Sequence, residues 1–497
     1  MESELDLNDS IDALHILATN HALYQIFLDL NTVDSLLSLL DHANIDISLA
    51  VLSLLSELTE KDVGVEDEED EPVKQLTEQL LSADNFQLLV HMLSRIWESR
   101  LEQTQGEQSL ARTDFDEGLG NFFGMIDNVL ELSVSFAAPC LESAPFISLI
   151  VDMALNASSP PISSVELQAA ELLDTLLVSF LTLNSTNDNI RDTISNSKGW
   201  NVLTSAVVMQ KYLSCLSFCA QWTTNHWDTT ALEWLGNILS SFSQLLAYAS
   251  DQFIEMQGVA MLANFATLPQ FSAGVIRCLD TVARLRPVEV SGLLVQNGAI
   301  SLLHAFMMQL QKQKQKQKQK RKHHKSKKDT PQESHIWYLL WLLWMRAEDE
   351  PSLCERLRRK LRENGYAKLI CLLQCYLSLA RNVHDAVSAW HPEEDDLSEG
   401  EMELEKQEIR VEAGLMSLQH ICGIISAFLC WNGNPVDSEC DLGFTLQWLD
   451  QAGESLVACV LVLSEAKDVL RDDIQTAGKE SDSALFSRLA EALKRCL

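Results

Sequence analysis

The chain has 497 residues, 46% of them hydrophobic, with 71 acidic side chains against 37 Lys or Arg and a formal net charge of −34. That length excludes a minimal module and leaves either several globular domains or one extended repeat array. Nineteen glycines and 11 prolines are too few for the turns of an all-β protein or for a mostly disordered chain.

The charge is unevenly spread. Ten Lys or Arg and no acid fall between 312 and 328, so the rest of the chain, with 27 bases against 71 acids, stands at −44. Such a body repels nucleic-acid phosphates and attracts basic proteins, so basic peptides are the expected partner class and direct sequence-specific nucleic-acid binding is not expected. The amino terminus, MESELDLNDS, has neither the positive nor the apolar region of a secretory signal. The longest dense apolar run, Ile336 to Met345, is about half of what a membrane-spanning helix needs. A soluble intracellular protein without a membrane partner is the expectation. Its 12 cysteines then read as reduced thiols used as small core residues.

In chain order, apolar residues recur at helical spacing almost throughout, which predicts an all-α fold. The segments 33–58 (VDSLLSLLDHANIDISLAVLSLLSEL) and 146–177 (FISLIVDMALNASSPPISSVELQAAELLDTLL) share a plan. A short Leu-rich helix is followed by a polar turn and then a longer helix with small residues inside, and AISLLHAF at 299–306 begins another such unit. This predicts a degenerate armadillo or HEAT-like repeat, a superhelix of stacked helices (an α-solenoid) over residues 1–395. An acidic loop at 64–74 is expected to interrupt it, because like charges repel and stay solvated. Ser163 with Glu166 forms a capping box ahead of the stripe Ala169, Leu172, Leu173, Leu176, Leu177 and Phe180. Further on, Leu353, Leu357 and Leu361 make a stripe closed by Gly365, and Leu369, Leu372, Leu373, Tyr376 and Leu377 make the next.

Between them, the tract KQKQKQKQKRKHHKSKK predicts a solvated loop over 311–335. Its bases Lys320, Arg321, Lys322, Lys325, Lys327 and Lys328 form a cluster of the kind read by import receptors, which makes it a candidate nuclear address. The acidic segment 396–410 is expected to link the array to a carboxy-terminal helical segment, 411–497, that caps it or dimerises. Ser398, within DDLSEGE, is a candidate acceptor for an acid-directed kinase.

Catalytic constellations are missing from the sequence. No glycine-rich phosphate loop precedes a helix, so nucleotide chemistry lacks its cradle. Cys215 with Cys219 and Cys371 with Cys375 are i, i+4 pairs without a histidine at ligand spacing, and they read as structural thiols. His420 and Cys422 read as core, as do Trp337, Trp341 and Trp344 among their leucines. The basic run Arg356, Arg358, Arg359, Lys360 and Arg362 is either one positive patch or a solvated face paired with nearby acids. No enzyme activity, cofactor or metal is expected. Acids on the longer repeat helices, Glu171, Asp174 and Glu233, are the candidate partner-binding residues. Trp234 is followed by Asn237, but no regular Trp and Asn series of the kind that grips Lys-rich peptides repeats it.

Two segments, EAGLMSLQHICGII at 412–425 and AVLSLLSELTEKD at 50–62, resemble the beta-catenin-like protein 1 family, and the order of the intervening segments, HIWYLLWLLWMR among them, is similar to it. The resemblance implies an armadillo-like, non-enzymatic nuclear protein associated with the spliceosome through the Nineteen-type complex. It also implies binding to basic segments of splicing factors and pairing of two copies through the carboxy-terminal region. On this reading the chain is a scaffold of the splicing machinery. The alternative is an importin-like adaptor that carries basic cargo.

Overall fold

The computed structural model describes residues 2–19, 23–60, 71–103, 109–156, 160–186, 188–305, 307–308, 331–347, 350–390, 399–430 and 445. Among the described residues the regular elements are all helices, with no strand. The chain divides into two compact units, Met1–Gly258 and Val259–Leu497.

The first unit runs through α1 (Glu2–Leu14), α2 (Tyr24–Asp29), α3 (Thr32–Leu39), α4 (Ile45–Leu58), α5 (Glu71–Leu80), α6 (Ala83–Gln103) and α7 (Ser109–Leu132). It continues through α8 (Ala137–Glu142), α9 (Ala144–Leu155), α10 (Ser164–Thr186), α11 (Asp188–Ser195), α12 (Lys198–Leu203), α13 (Ala206–Cys219), α14 (Thr229–Leu245) and α15 (Ser250–Glu255). These elements stack as three-helix repeats, α2–α4, α5–α7, α8–α10 and α12–α14. First helix packs on first (α2 on α5), second on second (α3 on α6, α6 on α9, α9 on α13), and third on third (α4 on α7, α7 on α10, α10 on α14). This is the armadillo-type plan, in which each repeat buries its apolar face only against its neighbours.

The third helices form a parallel ladder. The end of the Leu49 side chain of α4 lies against Gly118 of α7, where an added Cβ would force it to shift. Ten residues further along α7, Asn128 donates to the Ser56 carbonyl at 3.3 Å. On the next rung, Gly120 lies level with Gln168 of α10. One rung on, Asp174 is level with Gln244, and Phe180 with Tyr248, whose ring lies 5.5 Å away. Each pair advances in the same direction along both helices.

The local signals explain where α10 begins and what it buries. Glu166 Oε2 accepts from the Ser163 backbone N–H at 2.7 Å, and Ser163 Oγ accepts from the Glu166 N–H at 3.4 Å, which closes the capping box. All six residues of the predicted stripe, Ala169 to Phe180, are buried.

The second unit contains α16 (Gly258–Phe265), α17 (Ser272–Leu285), α18 (Pro287–Gln296), α19 (299–305), α20 (Pro331–Ala347), α21 (Pro351–Ala389), α22 (Glu399–Glu412) and α23 (Leu415–Cys430). α17 packs on α20 and α20 on α23. α21 is two helices joined at a break where Asn364, Gly365 and Tyr366 all take left-handed φ, at the stop expected from Gly365.

Trp337 and Trp344 are buried, and Trp344 meets the Phe428 ring edge-on at 6.3 Å. Trp341 lies over Gly423, where an added Cβ would sit 2.5 Å from the indole. Two segments that carry the family resemblance, HIWYLLWLLWMR and LQHICGII, therefore pack against each other, and a side chain in place of Gly423 would displace the indole. His420 and Cys422 are buried, as are the pairs Cys215 with Cys219 and Cys371 with Cys375, whose sulfurs are not joined in disulfides.

The helices extend further than charge alone suggests. Residues 71–74 of the expected acidic loop begin α5, because Val73, Leu76 and Leu80 form a buried stripe. Residues 331–335 of the expected Lys-rich loop open α20 behind Pro331. Residues 399–410 of the expected linker lie in α22, where Arg410 donates to Glu403 at 2.7 Å and Lys406 sits over the Trp390 ring. Among the described residues no single helix is long and apolar enough to cross a membrane.

Candidate partner-binding surface

The exposed side of α10 carries Glu171 and Asp174, three residues apart and so on one face. Glu171 is exposed, while half-buried Asp174 accepts from Gln244 Nε2 of α14 at 2.7 Å. Two acids of α7, absent from the sequence-based candidates, join them. Asp127 is half-buried, and burial pushes its carboxyl up to about 7, with the charges of Glu171 and Glu131 adding to the rise. Its Oδ1 is buried without a hydrogen-bond partner.

The rise comes first from burial and only then from the negative charge of Glu171 and Glu131. The sequence contains no Lys or Arg between Arg112 and Arg191, a stretch that includes most of α7 and all of α8 to α10. Of the flanking bases, Arg100 is bonded to Asp116 at 2.5 Å, and Lys211 pairs with Asp152. Glu233 is exposed but does not join the cluster. It precedes Gln244 by eleven residues on α14, about 16 Å along the axis. The structure thus brings Glu171 and Asp174 together, adds Asp127 and Glu131, and leaves Glu233 apart. The missing cations between 112 and 191 are the sequence signal that could have located the cluster.

The second unit neutralises its charge. Asp280 of α17 is 3% exposed, and its Oδ2 meets Arg284 Nε at 2.9 Å and His335 Nδ1 of α20 at 2.7 Å. The Arg284 guanidinium lies 4.2 Å from the centre of the Tyr338 ring, which meets His420 edge-on. His420 is pushed down to about 4, chiefly by burial and then by Arg284. The basic run on α21 is not one patch. Arg358 is buried over the Phe428 ring, and Lys360 pairs with Glu363 at 2.9 Å, whereas Arg356 and Arg359 are exposed. Hydrogen bonds from Lys368 and Lys360 hold the Glu363 carboxyl down to about 2.

Lys320, Arg321, Lys322, Lys325, Lys327, Lys328 and Ser398 lie outside the described residues. Among the described residues no three His, Cys, Asp or Glu side chains converge as metal ligands. Trp234 is fully buried and donates to the Ala154 carbonyl at 3.0 Å, so it belongs to the core and not to a peptide-gripping surface.

Stacked three-helix repeats with parallel third helices define an all-α armadillo-repeat protein. A family model described as "Catenin-beta-like, Arm-motif containing nuclear" matches residues 1–450, and the chain belongs to that family. Beta-catenin-like protein 1 of Bos taurus is 26% identical over 506 residues, covering 99% of this chain and 80% of the bovine protein. The Homo sapiens protein of that name is 27% identical over 441 residues, 86% of this chain and 69% of its own length. A solved beta-catenin structure, from work on a phosphorylation switch in its interaction with cadherin, aligns at a TM-score of 0.32 and 12% identity, covering 98% of this chain and 96% of that one.

Proposed function

We propose that the chain is a nuclear, non-enzymatic scaffold whose first unit offers the carboxylates of α7 and α10 to Lys- and Arg-rich segments of pre-mRNA-splicing proteins. The observation that supports this reading is the cluster of Glu131, Glu171 and Asp174 beside half-buried Asp127, on a stretch of sequence without Lys or Arg from 113 to 190. A guanidinium or ammonium arriving there relieves carboxylate repulsion that no residue of the stretch relieves. Attraction of this kind speeds encounter and sorts partners by charge more than it adds raw affinity. The splicing assignment rests on the family resemblance. The nuclear one rests on the family's description and on the basic cluster Lys320 to Lys328.

Affinity purification of the tagged chain from its own cells at moderate salt, followed by mass spectrometry, tests the role. Core splicing factors are the expected yield. Import receptors with assorted basic cargo and no splicing factors would replace the scaffold with a transport adaptor. Deleting 312–328 is expected to abolish nuclear accumulation of a fluorescent fusion, and unchanged accumulation would remove the import role from that tract.

A further inference from the structure

Below the carboxylates, the exposed face of α10 turns apolar. Glu171, Val178 and Thr182 follow one another along its centre, with Asp174 and Leu181 on the side toward α14. Val178 is 47% exposed and Leu181 38%. Neighbouring rungs continue the same level. The turn Val134–Phe136, which follows α7 and packs on α10, presents Val134 at 39% exposure. After α14, Tyr248 is 39% exposed, with its ring braced on Phe180 and Trp200.

Isolated exposed apolar side chains are ordinary, but four on three successive rungs at one level make a ledge. The ledge adjoins Glu131 and Glu171, whose own stretch of sequence has no Lys or Arg, and that charge indicates what covers it. A purely apolar partner would leave the acids unneutralised, whereas a purely basic one would leave the ledge wet.

Resting on the function proposed above, we infer that the partner segment is amphipathic: its Lys or Arg side chains meet Glu131, Glu171 and Asp174, and apolar side chains of the same segment cover Val134, Val178, Leu181 and Tyr248. Glu171 and Val178 are seven residues apart on the helix, about 10 Å at 1.5 Å per residue. That span matches about three residues of extended chain. The segment therefore places its apolar residues about three positions from its basic ones. Apolar anchors next to a charged stretch supply the affinity that exposed charge alone lacks.

The test uses the full chain and two labelled synthetic peptides, followed by fluorescence anisotropy. One carries a Lys/Arg stretch with two leucines three positions beyond it, and the other has serines in place of those leucines. The leucine peptide is expected to bind about tenfold more tightly. The double variant V178S/L181S, which alters only exposed positions, is expected to bring it to the serine peptide's affinity and to leave the serine peptide unchanged. E131Q/E171Q is expected to weaken both peptides. Equal binding of the two peptides, or an equal loss of both in V178S/L181S, overturns the apolar ledge while leaving the acidic scaffold intact. If neither peptide binds, the scaffold reading falls and takes this inference with it.

Discussion

In the first unit burial and then the charges of Glu171 and Glu131 raise Asp127, on a stretch whose sequence has no Lys or Arg between Arg112 and Arg191, while in the second Asp280 is buried and receives both Arg284 and His335. In both units long helices pack side by side, α7 on α10 in the first and α17 on α20 in the second. Their treatment of charge differs. Neutralised and buried, Asp280 ties α17 to α20 and acts on stability. In the first unit Glu131 and Glu171 stay exposed beside half-buried Asp127, on a stretch of sequence that supplies no base to pair with them. A repeat scaffold can thus hold its shape while one stretch of its surface is turned toward binding.

This contrast can be broken most directly at Arg284. Arg284→Ala leaves the buried Asp280 carboxylate with one partner fewer, and because Arg284 itself is half exposed the second unit is expected to lose about 2 kcal/mol. The loss should shrink to under about 1 kcal/mol when Asp280 is already Asn, since no buried charge then remains to be stranded. Hydrogen exchange read separately in peptides of each unit measures both values, and a loss shared equally by the two units would contradict the assignment.

Acid sharpens the contrast, because the units respond with opposite sign. Asp127 is raised to about 7 from 3.8, so the folded first unit holds a proton that the unfolded chain has lost. Its contribution is complete below about 4 and disappears as pH rises through about 7. His304 and His420 are both lowered to about 4 from 6.5, chiefly by burial, so they are neutral in the fold and charged in the unfolded chain. Their contribution is complete above 6.5 and is lost as pH falls through about 4. Between about 6.5 and 4, acidification should therefore strengthen the first unit and weaken the second, by up to about 1.4 kcal/mol per pH unit for each group. Exchange protection at pH 7 and pH 5 reads the two trends, and Asp127→Asn should flatten only the first.

The smallest of these effects is local. Ser163→Ala opens the capping box and should cost about 1 kcal/mol in the first turn of α10, with no change in the second unit.

Features confined to a few neighbouring residues were legible in the sequence. The Ser163 and Glu166 cap, the stripe to Phe180, the break at Gly365 and the buried tryptophans all follow from spacings within one helix, where 3.6 residues per turn fixes which side chains share a face. Contacts between rungs were not legible. The charge of Glu171 reaches Asp127, and Asp280 meets His335, only because particular helices lie level, which no spacing within one helix fixes. Glu171, Asp174 and Glu233 look equivalent as acids on long helices, yet the axial offset separates the third from the first two. Charge runs misled at their edges, since 71–74 and 399–410 are helical: the apolar stripe of α5 and the cross-turn pairing of α22 outweigh local repulsion.

The parallel ladder has an electrical consequence of its own. Each helix carries a dipole worth about half a negative charge at its carboxyl end. In α4, α7, α10 and α14 those ends point the same way, and none has a basic residue in its last turn. The backbone alone therefore gives one edge of the first unit a line of partial negative charge that grows with every repeat added. Only basic residues placed in those last turns, where the sequence has none, would offset it.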